Sequence, residues 1–246
     1  MSRIKDLNKL GQSVWLDFIR RSLIDSGELE ALIARGVSGI TSNPTIFEKA
    51  IAGSADYDEA LRELAEEGKT NDEIYLALAL DDIRRAADLL RPVWDKTGGV
   101  DGYVSLEANP KLAYDTEGTV AEARMLFRAL GRPNVMIKVP ATPEGIPAIE
   151  ALIGEGVNVN VTLIFSLAHY EAVVRAYLAG LEKLAARGGD LARVASVASF
   201  FVSRIDTAVD RKLETLGNKT LQGKAAIACA KLSGTWKLLV GFTSAS

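Results

Sequence analysis

The sequence predicts an α/β fold in which parallel strands, each followed by helix, close into a barrel. Three observations lead there. Short apolar runs rich in Val and Ile recur along the chain, and each precedes a longer segment whose apolar and charged residues repeat with helical spacing. The runs are apolar at almost every position, as in strands of a parallel sheet covered by helices, rather than alternating as half-solvated strands do. Third, the glycine-rich turn that an open nucleotide-binding sheet places after a strand is missing. Neither GxGxxG nor GxxxxGK[ST] occurs, and Gly223-Lys224 lies inside a helical pattern without the upstream glycine. No Pro/Ser-rich linker or low-complexity tract divides the chain, so its 246 residues are expected to form one domain, a length common for α/β barrels.

Six strand–helix units can be written in order. Ser13–Phe18 is the first run, followed by helix over Ser26–Arg35 with Ser26 as its N-cap. Val37–Thr41 is the second; Pro44 then suits a helix start, and helical patterns follow over Tyr57–Glu67 and Asp72–Lys96, the latter preceded by Asn71 as a cap. Tyr103–Ala108 leads to helix over Thr119–Leu130, and Val135–Val139 to a short helix over Pro147–Ile153. Asn158–Ile164 precedes a long helix from Ser166 to Arg187. Val194–Phe201 is the sixth run, with helical pattern over Val202–Leu216 and Leu221–Leu232.

Composition narrows the chemistry. One Cys, Cys229, excludes an internal disulfide, and with His169 as the one histidine the common Cys/His zinc arrangements fall away, so no metal site is expected. Catalysis should run on Lys, Asp, Glu, Ser or Thr. The balance of 29 Lys+Arg against 32 Asp+Glu, with no long basic block, does not suggest a nucleic-acid partner. No run of about 18 apolar residues and no basic-then-apolar leader is readable, so neither membrane nor secretory pathway is expected, and a cytoplasmic protein is. His169 reads as a surface or helix-packing residue, Cys229 as buried packing, and the cluster Glu59, Glu63, Glu66 and Glu67 as a solvated helix face.

Barrels of this kind carry functional side chains at the C-terminal ends of their strands. Every run holds a polar residue there: Asp17, Asn43, Glu107, Lys138, Asn160 with Thr162, and Ser199 with Arg204 just beyond. Lys138, in Val-Met-Ile-Lys-Val-Pro, is the most informative. An ammonium in an apolar run is disfavoured by desolvation, which frees the amine as a nucleophile for a carbonyl; the alternative is a strand-end lysine that reaches solvent or pairs with Glu107. Asp17 and Glu107 could shuttle the protons of such chemistry or be salt-bridged structurally. Asn43 could donate to a substrate hydroxyl or serve a turn before Pro44. Asn160 and Thr162 alternate with Val159, Val161 and Leu163, so their strand has one polar face, which should point inward. Ser199 and Arg204, where the sixth strand becomes helix, could hold a phosphate or be a cap and a surface arginine.

Taken together, GITSNPTIF (Gly39–Phe47) and VMIKVPATPEGIPAIEAL (Val135–Leu152) resemble the two signature regions of the transaldolases. VWLDF, VSLEANP, NVNVTLIFS and SFFVSR are similar to further segments of that family, in the same order, over about residues 1–232. The resemblance implies a (β/α)8 barrel, no metal or organic cofactor, sugar-phosphate substrates and a place in the pentose phosphate pathway. It implies that Lys138 forms a Schiff base with a ketose phosphate, that Asp17 takes the C4 hydroxyl proton, and that Glu107 and Thr162 position a water. Asn43 and Asn160 would hold the dihydroxyacetone hydroxyls, and Ser199 and Arg204 part of the phosphate site. An aldolase similar to the fructose-6-phosphate aldolases is the alternative within lysine chemistry. Family members continue through two more strands, whereas the text after Leu232 does not resemble them. A truncated or frameshifted chain, or an open barrel completed by another chain as a homo-oligomer, is therefore expected, with Lys237–Phe242 as one makeshift strand and a self-associating, non-catalytic remnant as a further alternative.

Overall fold

The computed structural model describes residues 3–232 and 240–242. In chain order its regular elements are α1 (Arg3–Lys9), β1 (Val14–Asp17), α2 (Arg21–Asp25), α3 (Glu28–Arg35), β2 (Val37–Thr41), α4 (Pro44–Ala52), α5 (Asp58–Glu66), α6 (Asn71–Thr97) and β3 (Val104–Glu107). There follow α7 (Thr116–Leu130), β4 (Val135–Pro140), α8 (Gly145–Gly154), β5 (Val159–Ile164), α9 (Leu167–Ala186), β6 (Ser196–Phe200), α10 (Val202–Thr215), α11 (Ala225–Leu232) and β7 (Val240–Phe242), with short 3-10 turns between some of them. This is the parallel-strand, alternating-helix pattern of an incomplete (β/α)8 barrel, as the sequence predicts. Among the described residues no helix is long and apolar enough to cross a membrane.

The chain divides into two compact units. Met1–Pro110, Ala121–Lys138 and Leu239–Ser246 make the first; Lys111–Val120 and Val139–Leu238 make the second. In the first, β1 pairs parallel with β2 and with β7, β2 with β3, and β3 with β4. The strand expected at Lys237–Phe242 is thus present at Val240–Phe242, while Lys237 to Leu239 lie outside the described residues. In the second unit β5 pairs parallel with β6.

Register fixes which side chains share a face. Asp17 lies opposite Thr41, Thr41 opposite Ser105, and Glu107 opposite Lys138. Since strand side chains alternate, Trp15, Asp17, Gly39, Thr41, Ser105, Glu107, Met136 and Lys138 fall on one face. The opposite face carries Val14, Ile40, Val104, Leu106, Val135 and Ile137, all buried. At the N-terminal end of the polar face the indole of Trp15 donates to Asp101 Oδ1 at 2.9 Å and stands 6.4 Å from the Tyr103 ring. Gly39 is the residue beneath that indole: a Cβ there would stand 2.4 Å from the ring.

Several element ends differ from expectation for local reasons. Ser26 is the C-cap of α2 and Gly27, in the left-handed region (φ 77°), takes the N-cap position of α3, while the Ser26 hydroxyl accepts the N–H of Glu28, the first residue of α3, at 3.4 Å. For α6 the cap is Thr70 rather than Asn71. Its hydroxyl accepts the Glu73 N–H while the Glu73 carboxylate accepts the Thr70 N–H at 2.8 Å, a reciprocal capping box one residue earlier than expected. Ser166 does cap α9, accepting the His169 N–H at 3.2 Å. His169 is exposed, as are Glu59, Glu63, Glu66 and Glu67, while Cys229 is half-buried rather than buried. Helix α1 was not expected, its apolar spacing being too short to read.

Helix α6 is the backbone of the first unit. Its Arg84 donates twice to the Ala129 carbonyl at the end of α7, at 2.8 and 3.2 Å. Asn134, fully buried ahead of β4, donates to the carbonyls of Ala87 in α6 at 2.8 Å and of Gly102 ahead of β3 at 2.9 Å. In the second unit α9 packs on α8 through Gly180, where a Cβ would stand 2.7 Å from Ile153. Gly39→Ala should therefore lower stability by about 1–3 kcal/mol by forcing the indole out of place; urea unfolding followed by Trp fluorescence checks it.

Candidate functional site

The C-terminal ends of β1 to β4 gather three ionisable side chains on one sheet face. Lys138 is 6% exposed, held there by a strand whose neighbours Met136, Ile137 and Val139 are buried. Its ammonium crosses β3 to donate to the Ser42 carbonyl, just past β2, at 2.8 Å, and to Glu107 Oε2 at 3.2 Å. The pairing with Glu107 offered by the sequence as a structural alternative is thus present, and it leaves the Nζ atom poised between two acceptors. Ser42 is fixed in turn: its hydroxyl donates to the Ser105 carbonyl at 2.7 Å, tying the end of β2 to β3.

Asp17, the last residue of β1, is half-buried on the same face. Burial pushes its carboxyl above the ordinary value, and the charge of Lys138 pulls it part of the way back. A carboxyl so tuned holds its proton more readily than a solvated aspartate, which suits a base that must also return a proton. Near Glu107, Tyr75 on α6 has its phenol pushed up to about 12, by burial first and by the Glu107 charge second, and its ring meets Phe47 edge-on at 6.1 Å.

Asn43 caps α4. Its Oδ1 accepts the Ile46 N–H at 2.9 Å ahead of Pro44 at the first helical position. Both sequence readings meet here, because capping engages the oxygen and the amide hydrogens are the donors that a ligand hydroxyl would need.

In the second unit Asn160 and Thr162 are 1% and 2% exposed, and the Ser199 hydroxyl donates to Asn160 Oδ1 at 2.8 Å. The polar face expected for β5 is therefore a buried one with β6 alongside. The residue after Thr162 is unusual: Leu163 has φ 62°, left-handed without being glycine, at a register shift between Val161 and Ile164. Arg204 is exposed and its guanidinium lies 5.3 Å above the Phe201 ring. It borders an open groove of about 280 Å³ on α10 together with Ser203, Thr207, Ala208 and Arg211. No side chain caps α10. The structure thus joins Ser199 to Asn160 rather than to Arg204. Among the described residues no cluster of three or more His, Cys, Asp or Glu side chains is arranged to hold a metal ion.

Sequence reasoning did not single out Ser42, Tyr75, or the buried Asp82 with its partners Tyr57 and Arg21. Ser42 acts through its main-chain carbonyl, which no side-chain pattern reveals. Asp82 was the one readable signal, a charge on the apolar stripe of α6 at Ala79, Asp82, Ile83 and Ala86.

These features mark a protein of α/β-barrel type with a buried, strand-borne lysine paired with one carboxylate and sharing a sheet face with a second. Comparison with known proteins gives the family. The family described as Transaldolase/Fructose-6-phosphate aldolase matches residues 14–235, and the chain belongs to that family. It is 55% identical over 234 residues to a protein of Saccharopolyspora erythraea named Transaldolase, covering 94% of this chain and 63% of that one. Proteins of the same name from Thermobifida fusca (54% over 236 residues; 94% and 64%) and Acidothermus cellulolyticus (52% over 233; 94% and 63%) are similar. The chain thus spans a little under two thirds of the length of these relatives.

Because Lys138 and Glu107 are buried together, removing one charge should cost more than its hydrogen bond. Glu107→Gln is expected to lower stability by about 1–3 kcal/mol, and Lys138→Met, which leaves the Glu107 carboxylate and the Ser42 carbonyl without their donor, to lower it by at least as much. Urea midpoints of the two variants check this.

Proposed function

We propose that this chain is a Schiff-base transaldolase, moving a dihydroxyacetone unit from a ketose phosphate to an aldose phosphate in the cytoplasmic pentose phosphate pathway. The observation that carries the reading is the buried Lys138 ammonium, between Glu107 and the Ser42 carbonyl and on one sheet face with Asp17. The family resemblance is what gives Thr162, Asn160, Ser199 and Arg204 roles toward the same substrate.

The ammonium first passes a proton to Glu107, its carboxylate neighbour at 3.2 Å. The free amine adds to the C2 carbonyl of the ketose, giving a carbinolamine. Protonation of its hydroxyl, through a water held by Glu107 and Thr162, expels water and leaves a protonated imine. Asp17 then takes the C4 hydroxyl proton. The C4–O electrons form the aldehyde carbonyl, the C3–C4 bond breaks, and its pair passes into the imine, giving an enamine and a free aldose phosphate. Attack of the enamine carbon on a second aldose phosphate reverses these steps, and hydrolysis of the new imine restores Lys138. The amides of Asn43 and Asn160 hold the hydroxyls of the three-carbon unit, and Ser199 and Arg204 the phosphate.

The second reading is an aldolase that hydrolyses the enamine and releases dihydroxyacetone; the family description, which names both activities, favours keeping it. Acceptor dependence separates them: a transaldolase turns over only when an aldose phosphate is added, an aldolase without it.

Borohydride reduction in the presence of a ketose phosphate should add mass at Lys138, and Lys138→Ala should abolish the adduct. Asp17→Asn should still be trapped while cleavage falls about 10²–10⁴-fold. An adduct on another residue would sink the assignment. Since Asp17 must be ionised to act and burial raises its pKa, the acid limb of kcat should lie above 3.8, its ordinary value. The same shift makes protonated Asp17 stabilising: that contribution is full below pH 3.8 and is lost as pH rises through the raised value.

A further inference from the structure

After Asp17 the chain leaves β1 through Phe18, Ile19 and Arg20, and α2 begins at Arg21. Arg20, at the N-cap, makes no side-chain cap hydrogen bond. The first amides of α2 are instead satisfied by the 3-10 turn at Ala55–Tyr57, more than thirty positions away. The Tyr57 hydroxyl accepts the Arg21 N–H at 2.9 Å, and Asp56 Oδ2 accepts the Ser22 N–H at 3.2 Å. The Tyr57 hydroxyl in turn donates to Oδ2 of Asp82 in α6, at 2.7 Å. The Arg21 guanidinium donates to Oδ1 of that carboxylate at 3.0 Å, and its second branch reaches Asp81 at 3.1 Å.

Tyr57, Asp82 and Ile19 are 0% exposed. A carboxylate without solvent is costly unless both oxygens are engaged, and a buried ion pair stabilises less than well-packed apolar side chains would. Such a network is a poor way to gain stability and a good way to allow one geometry only. What it fixes is the three-residue connection, Phe18 to Arg20, that follows Asp17.

We propose that the Tyr57–Asp82–Arg21 network is a positioning device for Asp17, fixing the turn that carries β1 out of the sheet and hence the placement of the Asp17 carboxylate against Lys138. None of the three residues need touch substrate. The inference rests on the reading of Asp17 as the base of C3–C4 cleavage, where a shift of about 1 Å costs on the order of a hundredfold.

The test compares the full chain with its Tyr57→Phe and Asp82→Asn variants, Tyr57→Phe being the milder because it removes one hydroxyl. NMR titration of the Asp17 carboxyl carbon, borohydride trapping at Lys138 and release of aldose phosphate are measured on each. Loosening the turn admits water to Asp17, so its titration midpoint should fall by at least about half a pH unit in both variants. Release should slow at least about tenfold, with trapping within about twofold of the unaltered chain. An Asp17 midpoint and a release rate that stay put in folded Tyr57→Phe, even with a lowered melting temperature, would make the network merely structural and overturn the inference. Failure of the underlying reading looks different. It shows in the unaltered chain, as no adduct at Lys138 or as release that Asp17→Asn leaves intact, and the Asp17 midpoint still decides the positioning role.

Discussion

The rest of the first unit is arranged around one buried cation. An ammonium at the end of a parallel strand must either reach water or be met by acceptors, and Lys138 is met by the Ser42 carbonyl and Glu107. Both acceptors come from strands whose register is fixed by the apolar face beneath them. A slip of one residue in β3 would turn Glu107 away and bring Leu106 to the lysine. The seryl carbonyl is available because β2 stops at Thr41 and the next turn of chain is pinned to Ser105. The catalytic reading and the folding of this sheet therefore impose the same demand, that β2, β3 and β4 keep this one register.

Helix α6 meets that demand from outside the sheet. At 27 residues it is long enough to touch both ends of the first unit. Its N-terminal half carries Tyr75 and Asp82, and its middle carries the Ala87 carbonyl that Asn134 grips ahead of β4. One rigid rod thus references the exit of β1 and the entry of β4 to each other. This division of labour keeps polar groups near the strand ends with little freedom, while the surface of α5 and the outer turns, rich in exposed Glu, are left to solvent.

Much of this was legible in the sequence because it rests on local pattern. The six apolar runs became β1 to β6 within a residue or two, since continuous Val/Ile stretches have few alternatives to a doubly covered strand. Lys138, Asp17 and Glu107 stood out as charges where packing would choose otherwise, and alternation in Asn158–Ile164 gave the polar face of β5. What was not legible depends on contacts far apart in sequence or on the main chain. Thr70 outcompeted Asn71 as a cap only because Glu73 could answer it, and Gly27 displaced Ser26 because the preceding helix ran on to Asp25. The Ser42 carbonyl and the reach of Tyr57 across to α2 leave no trace in spacing. Arg204 was read, with Ser199, as part of a phosphate site or as a surface arginine; it is exposed and its guanidinium lies over Phe201, a contact that no motif shows.

Leu163 remains as the one described non-glycine residue with a left-handed backbone. Its branched side chain makes that conformation dearer than glycine would, by about 1–3 kcal/mol, and so the alternative states open to a glycine are closed to the segment that presents Thr162. The awkward residue works as a ratchet pawl: a cost charged to the whole fold that keeps one hydroxyl from wandering.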